Sequence, residues 1–184
     1  AGPRQREAVE TLCREIDRAK LRIKANCAGR TLMVDIQPMA EVQQKTGVPI
    51  EACLFIGSSP IRLEVEGWDV DHLLKVSETA LRYAADHRLP VMYVTEDTTR
   101  ADPDTVRRLY GLALDMGAQR LVVCDTCGHA TPDGAPPVRQ TAPRCRDSGR
   151  RRAACHCSLP AAAAGRPPSA PAAPREMPKD TRRW

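Results

Sequence analysis

Apolar positions recur at helical spacing in four stretches of the chain, with short apolar runs between them. Over Arg4–Ala19, the residues Val9, Leu12, Cys13, Ile16 and Ala19 fall on one face and predict a helix. Leu21–Cys27 alternates Leu, Ile, Ala and Cys with Arg, Lys and Asn, the period of a short strand. A second helix is expected from about Val34 to Thr46, stopping at Gly47, a residue suited to the position just past a helix end. Pro49–Ile56 is an apolar run that fits a buried strand, and Gly57-Ser58-Ser59-Pro60 after it reads as a turn. Val70, Leu73, Leu74, Ser77, Leu81 and Ala84 form the clearest helical stripe, with Asp69 ahead of it as an N-cap. Pro90–Val94 is the next strand. Asp102-Pro103-Asp104 then supplies a cap, a proline for the first helical position and an acid in the first turn. Val106, Leu109, Leu112, Ala113 and Met116 continue that helix until Gly117, and Arg120–Cys124 is the last strand.

Helix and strand therefore alternate four times, which implies parallel strands joined by right-handed crossovers. A doubly wound sheet and part of a barrel both fit that order. No Gly-x-Gly-x-x-Gly turn and no phosphate loop occurs, so the nucleotide-binding version has no support. Polar, chemically capable residues instead gather just after successive strands: Ser58-Ser59, then Thr95–Arg100, then Asp125–His129. Barrel enzymes build their sites on that C-terminal rim, so the expected fold class is α/β, a partial (β/α)8 barrel of about four βα units.

Charge divides the chain in two. Residues 1–135 carry 17 Lys and Arg against 20 Asp and Glu, whereas residues 136–184 carry 11 against 3, so the net +5 comes from the second part. That part also holds 9 of the 16 prolines and has Val138, Leu159, Met177 and Trp184 as its large apolar residues. Such a stretch buries too little surface to offset the entropy of ordering it, so 1–135 is expected to be the barrel domain and 136–184 a disordered tail rich in Arg, Pro and Ala. No run approaches a membrane span and no signal-peptide pattern opens the chain. Of eight cysteines, Cys13, Cys27, Cys53 and Cys124 sit in apolar patterns, where a thiol behaves as a small hydrophobe. A disulfide scaffold would be shorter and richer in loops, and the cytoplasm is the expected compartment.

From spacing alone the polar clusters stay open to two readings. In Thr95–Arg100, Glu96 or Asp97 could serve as a general base or hold a substrate hydroxyl, and Arg100 could hold a carboxylate. The same residues could equally be a solvated loop capping the next helix. Thr126 could donate to a substrate carboxylate with His129 nearby as a titratable group, or Asp125–Pro132 could be an ordinary turn. Cys124-x-x-Cys127 with Cys155-His156-Cys157 raises a zinc or nucleic-acid-binding module as the alternative of another class. Cys124 in a strand and Cys-x-Cys in the tail weigh against zinc. Arg150-Arg151-Arg152 has no aromatic neighbour and no folded frame, so nucleic acid is not an expected partner.

Three motifs in order resemble the 2-isopropylmalate synthase and homocitrate synthase family of metal-dependent acyltransferases. They are Phe55-Ile56-Gly57-Ser58-Ser59-Pro60-Ile61-Arg62, Tyr93–Pro103 around Glu96-Asp97, and Cys124-Asp125-Thr126-Cys127-Gly128-His129-Ala130-Thr131-Pro132. The resemblance covers about Leu21 to Ala135. It implies a TIM barrel that condenses acetyl-CoA with a 2-keto acid such as 2-ketoisovalerate, the reaction of leucine biosynthesis. A divalent metal (Mg, Mn or Zn) would hold the keto acid, and the intact enzyme would be a homodimer. Homocitrate synthase, citramalate synthase and related lyases share the same barrel. On this resemblance Glu96 acts at the substrate and Thr126 binds the keto acid's carboxylate, with Ser59, Arg100 and His129 beside them. Cys127 and His129 stand where a Val and an aromatic are more usual. The Arg-Asp pair of the family's first strand and the His-x-His of a later one, which complete the metal site, are absent, so no metal ligand is assigned. The chain then corresponds to strands three to six of the barrel, a fragment expected to be inactive alone. Arg outnumbers Lys 23 to 5, and a shifted reading frame of GC-rich DNA would account for the tail.

Overall fold

The computed structural model describes residues 2–128 together with Ala130 and Thr131. His129, Cys155–Cys157, the arginine run and the whole 136–184 segment lie outside the described residues. Along the chain run α1 (Pro3–Arg18), β1 (Ala25–Arg30), α2 (Met33–Thr46), β2 (Ile50–Gly57), α3 (Pro60–Glu66), α4 (Val70–Asp86), β3 (Val91–Glu96), a 3-10 turn (Thr98–Arg100), α5 (Pro103–Asp115) and β4 (Arg120–Val123). The strands form one sheet in the order β1-β2-β3-β4, every pair parallel.

Alternation along each strand decides what each face meets. Ala52, Leu54 and Ile56 of β2, Val91 and Tyr93 of β3, and Leu121 and Val123 of β4 are buried in one cluster. Ile36 and Met39 of α2, Leu73, Leu81 and Ala84 of α4, and Val106, Leu109 and Ala113 of α5 complete it. The alternate residues belong to the other face. There Glu51 of β2 accepts from Arg120 of β4 (Nε, 2.8 Å, and Nη2) and from Asn26 of β1 (2.9 Å). Burial works to raise the Glu51 carboxyl, but the Arg120 and Asn26 hydrogen bonds outweigh it and hold the group below its ordinary range. One carboxylate thus ties three strands together near their N-terminal ends.

The expected element order holds, and four details differ. The first strand runs over Ala25–Arg30 instead of 21–27. The chain leaves α1 through Lys20 in the left-handed region (φ 49), and Leu21 and Ile23 stay 47% and 59% exposed. Ala25 pairs with Ile50, so residues 21–24 would have to pair with Thr46-Gly47-Val48-Pro49, where Thr46 ends α2, Gly47 (φ 71) closes it and Pro49 offers no N–H. Pro60–Glu66 forms a helix where only a turn was expected, with Pro60 at its first position and Gly67 (φ 64) closing it. The third strand continues through Thr95 and Glu96, which are therefore strand residues and not loop. The fourth stops at Val123, because the Cys124 N–H turns aside to Thr98 Oγ1 (2.9 Å).

Thr95 explains why β3 runs on. Its side chain is fully buried in the helix-facing row, where its hydroxyl lies 2.7 Å from the Tyr110 hydroxyl of α5. Tyr110 donates to the Val122 carbonyl of β4 (2.7 Å), so the Thr95 hydroxyl is the donor to Tyr110. Among the described residues no helix is long and apolar enough to cross a membrane. Tyr110→Phe leaves the buried Val122 carbonyl and the Thr95 hydroxyl without that partner. It is expected to cost about 1–3 kcal/mol of unfolding free energy. The check is a lower urea midpoint at unchanged slope, and an unchanged midpoint would show that the network adds nothing to stability.

Candidate active site

Parallel pairing brings the ends of β2, β3 and β4 to one rim. Register sets Gly57 beside Glu96, and Ser58 fastens the two strand ends by donating both its N–H (3.2 Å) and its hydroxyl (3.0 Å) to the Glu96 carbonyl. A Cβ at Gly57 would meet Arg62 Cγ at 2.5 Å, so a glycine there lets the Arg62 side chain lie across the strand end. An open groove of about 210 Å³ is lined by Gly57, Ser59, Arg62, Glu96, Asp97, Arg100 and Thr126, together with Ile61, Val65 and Cys127.

Asp97 follows Glu96 in the left-handed region (φ 58, ψ 39) and is 5% exposed. Arg100, at the far end of the 3-10 turn, donates from Nε to both Asp97 carboxylate oxygens (2.9 Å each) and from Nη2 to one of them. The Arg100 fork, aided by the neighbouring Ser59 hydroxyl, holds the Asp97 carboxyl below the usual aspartate range; burial and the nearby Asp125 charge oppose this without reversing it. The Asp97 N–H donates to Thr126 Oγ1 (2.9 Å). Two further bonds join the β3 and β4 loops: Thr99 Oγ1 to Asp125 Oδ1 (2.9 Å) and the Cys124 N–H to Thr98. Asp125 also accepts from the Ala130 N–H (3.1 Å).

Of the residues expected from sequence, Glu96, Ser59, Arg100 and Thr126 all line the groove. Glu96 is half-buried, and among the described residues its carboxylate has no hydrogen-bond or ion-pair partner. Ser59 is buried, Thr126 is exposed, and His129 lies outside the described residues. Two of Arg100's guanidinium nitrogens face Asp97. Arg62 had no assigned role in the sequence, because its place depends on the unforeseen helix α3. A proline at the first position and a glycine seven residues later were the signals that could have revealed it. Among the described residues no group of three His, Cys, Asp or Glu side chains is placed to hold a metal ion, so the donors present there do not fit the divalent metal that the resemblance implies.

Parallel strands, a helix layer and a polar rim at the strands' C-terminal ends define part of a (β/α)8-barrel enzyme domain. The family described as HMGL-like matches residues 1–162, and the chain belongs to it. A 2-isopropylmalate synthase of Lactococcus lactis subsp. cremoris is 27% identical over 134 residues, 72% of this chain and 25% of that protein. A homocitrate synthase of Pyrococcus abyssi is 31% identical over 112 residues (61% and 30%), and an (R)-citramalate synthase of Methanocaldococcus jannaschii is 33% identical over 104 (56% and 20%). The chain thus spans between a fifth and 30% of the length of these curated relatives. Among solved structures, HMG-CoA lyase from Brucella melitensis superposes with a TM-score of 0.55 at 14% identity, over 76% of this chain and 48% of that one. Hydroxymethylglutaryl-CoA lyase from Pseudomonas aeruginosa gives 0.52 at 16%, over 65% and 40%. At such identity these two likenesses establish the fold.

The Asp97 clamp has a pH signature. Its folded pKa is depressed, so its stabilisation is present above the unfolded value of about 3.9 and is lost as pH falls through the lower folded value. Wild type should therefore exceed Asp97→Asn in urea stability at neutral pH, with the gap closing as pH drops below about 4. A gap that stays constant down to pH 2 would mean that the ionised carboxylate is not the stabilising species.

Proposed function

We propose that this rim is the substrate-holding part of an acyltransferase that joins acetyl-CoA to a 2-keto acid, 2-ketoisovalerate being the first candidate. The observation that carries the reading is the meeting of Glu96 and Thr126 at one groove, with Ser59 and Arg100 in its wall. In such a reaction a proton leaves the thioester's methyl carbon, that carbon bonds to the keto carbon, and the carbonyl oxygen takes up a proton to become a hydroxyl. Water then cleaves the thioester to give a carboxylic acid and the free thiol. A carboxylate facing the groove without a partner among the described residues, as Glu96 does, suits proton movement at a bound substrate. A hydroxyl donor facing the same space, as Thr126 offers, suits a substrate carboxylate. Membership of a family whose named relatives are 2-isopropylmalate, homocitrate and citramalate synthases supports this class of chemistry. The proteins so named differ in keto acid, and 2-ketoisovalerate is preferred here on motif resemblance. A divalent metal, in the resemblance, polarises the keto carbonyl. The described residues do not supply its donors, so no step is assigned through it.

The 184-residue chain is expected to bind 2-ketoisovalerate. Without metal donors from outside the described residues, it should release thiol from acetyl-CoA no faster than background. A titration of 2-ketoisovalerate, pyruvate and 2-oxoglutarate followed by NMR ranks the candidates. Failure of all three to perturb the residues around Glu96 and Thr126 would remove the reading. In an intact relative carrying these motifs, assayed with magnesium or manganese, the change equivalent to Glu96→Ala should lower kcat by roughly 10²–10⁴-fold. The variant's unfolding free energy from urea titration should stay within about 0.5 kcal/mol of wild type, because a groove-facing carboxylate gives up few contacts. Activity that merely tracks the folded fraction would make Glu96 structural.

A further inference from the structure

Asp97 differs from the other rim residues in combining a left-handed backbone, a buried carboxylate and a backbone N–H that reaches another strand's loop. Left-handed conformations disfavour residues other than glycine, and Asp and Asn tolerate them best. What holds the conformation is visible. Arg100 closes the 3-10 turn with its own N–H on the Asp97 carbonyl (3.2 Å), and its side chain returns to grip the Asp97 carboxylate. The Ser59 hydroxyl from the β2 loop stands against the same carboxylate, and the Asp125 charge opposite is taken up by Thr99 and the Ala130 N–H. The turn is therefore fixed at both ends, and the N–H between them has one direction.

We infer that Asp97 is a positioning residue: its clamped left-handed backbone directs one N–H onto Thr126 Oγ1 and thereby leaves the Thr126 hydroxyl hydrogen to face the groove as a donor. A threonine hydroxyl has one hydrogen and two lone pairs. The Asp97 N–H occupies a lone pair, so the Thr126 hydrogen points elsewhere, and among the described residues nothing else accepts it. A carboxylate, which can only accept, is the complementary ligand group. Arg100 acts through Asp97 in this arrangement, as the clamp on the turn. The inference deepens the proposed function and rests on it for the identity of the ligand, though not for the clamp itself.

Two measurements on the isotopically labelled 184-residue chain separate these layers. Hydrogen exchange at the residue 97 amide reads the clamp alone. Thr126→Val removes the acceptor and is expected to speed that exchange about tenfold while the amides within β3 keep their rates. Asp97→Ala should do the same, and Asp97→Asn, which keeps an oxygen for Arg100 and tolerates the left-handed region, should retain most of the protection. Should Asp97→Ala unfold, Arg100→Gln loosens the turn without altering residue 97 and should also speed exchange. Titration with 2-ketoisovalerate reads the consequence. Thr126→Val and Asp97→Ala should each weaken binding about tenfold, and the double variant should lose no more than either, because both act through one hydroxyl. Exchange at residue 97 that ignores Thr126→Val overturns the inference, as do binding losses that add. Exchange as expected in a wild-type chain that binds no keto acid would uphold the positioning role and remove the proposed ligand.

Discussion

Strands that all run the same way cannot be joined by hairpins, so each connection must carry the chain back across a face of the sheet. That requirement orders most of what is seen. Helices α2, α4 and α5 return over one face, and their apolar stripes cover Leu54, Tyr93 and Leu121. All the strands then end on one side, so the β2, β3 and β4 loops meet without any long-range signal in the sequence to bring them together. Residues as distant as Ser59 and Thr126 become neighbours because Gly57 pairs with Glu96 and Thr95 with Val123.

The rim is continuous with the core beneath it. Thr95 and Glu96 are adjacent, and strand alternation sends their side chains to opposite faces. Thr95 goes into the helix layer, where Tyr110 couples it to the Val122 carbonyl of β4, and Thr98 lies 2.7 Å away above it. Thr98 in turn receives the Cys124 N–H, where β4 leaves the sheet. The spacing between β3 and β4 at the rim is thus set by buried hydroxyls whose partners are fixed by the same packing that covers the sheet. Loops anchored in this way have less freedom than their polar composition suggests.

Much of this was legible beforehand, for identifiable reasons. Asp69 and Asp102 cap their helices through His72 N (2.7 Å) and Thr105 N (2.8 Å), as their position ahead of apolar stripes implied. Gly47 closes α2 in the left-handed region, again a local requirement that a sequence displays. The errors have a common origin in what neighbours do. Leu21 and Ile23 alternate like a strand, but the partner strand begins too late to pair with them. Thr95 reads as a polar loop residue until α5 presents Tyr110 to it. Helix α3 was written in Pro60 and Gly67, yet its seven residues bury no side chain, so no apolar stripe announced it. Of the candidate site, Glu96, Ser59, Arg100 and Thr126 were named from motifs. Their partners were not, because a left-handed aspartate and a guanidinium folded back three residues are properties of the turn, not of the residue types.

The two consecutive carboxylates at the end of β3 show how one backbone gives like groups unlike roles. Asp97 has a short side chain on a left-handed residue, so its carboxylate turns inward within reach of Arg100, and burial makes that ion pair worth more than one in water. Glu96 is still in the strand, its carbonyl held by Ser58, and its longer side chain extends into open groove with no cation of the turn left to meet it. Exchanging the two residue types would undo both roles: Glu would carry its carboxylate past the Arg100 fork at position 97, and Asp would stop short of the groove at position 96. The order Glu-Asp, with Arg three residues later, is therefore set by geometry. The first acid faces the groove, and the second holds the turn whose N–H donates to the Thr126 hydroxyl.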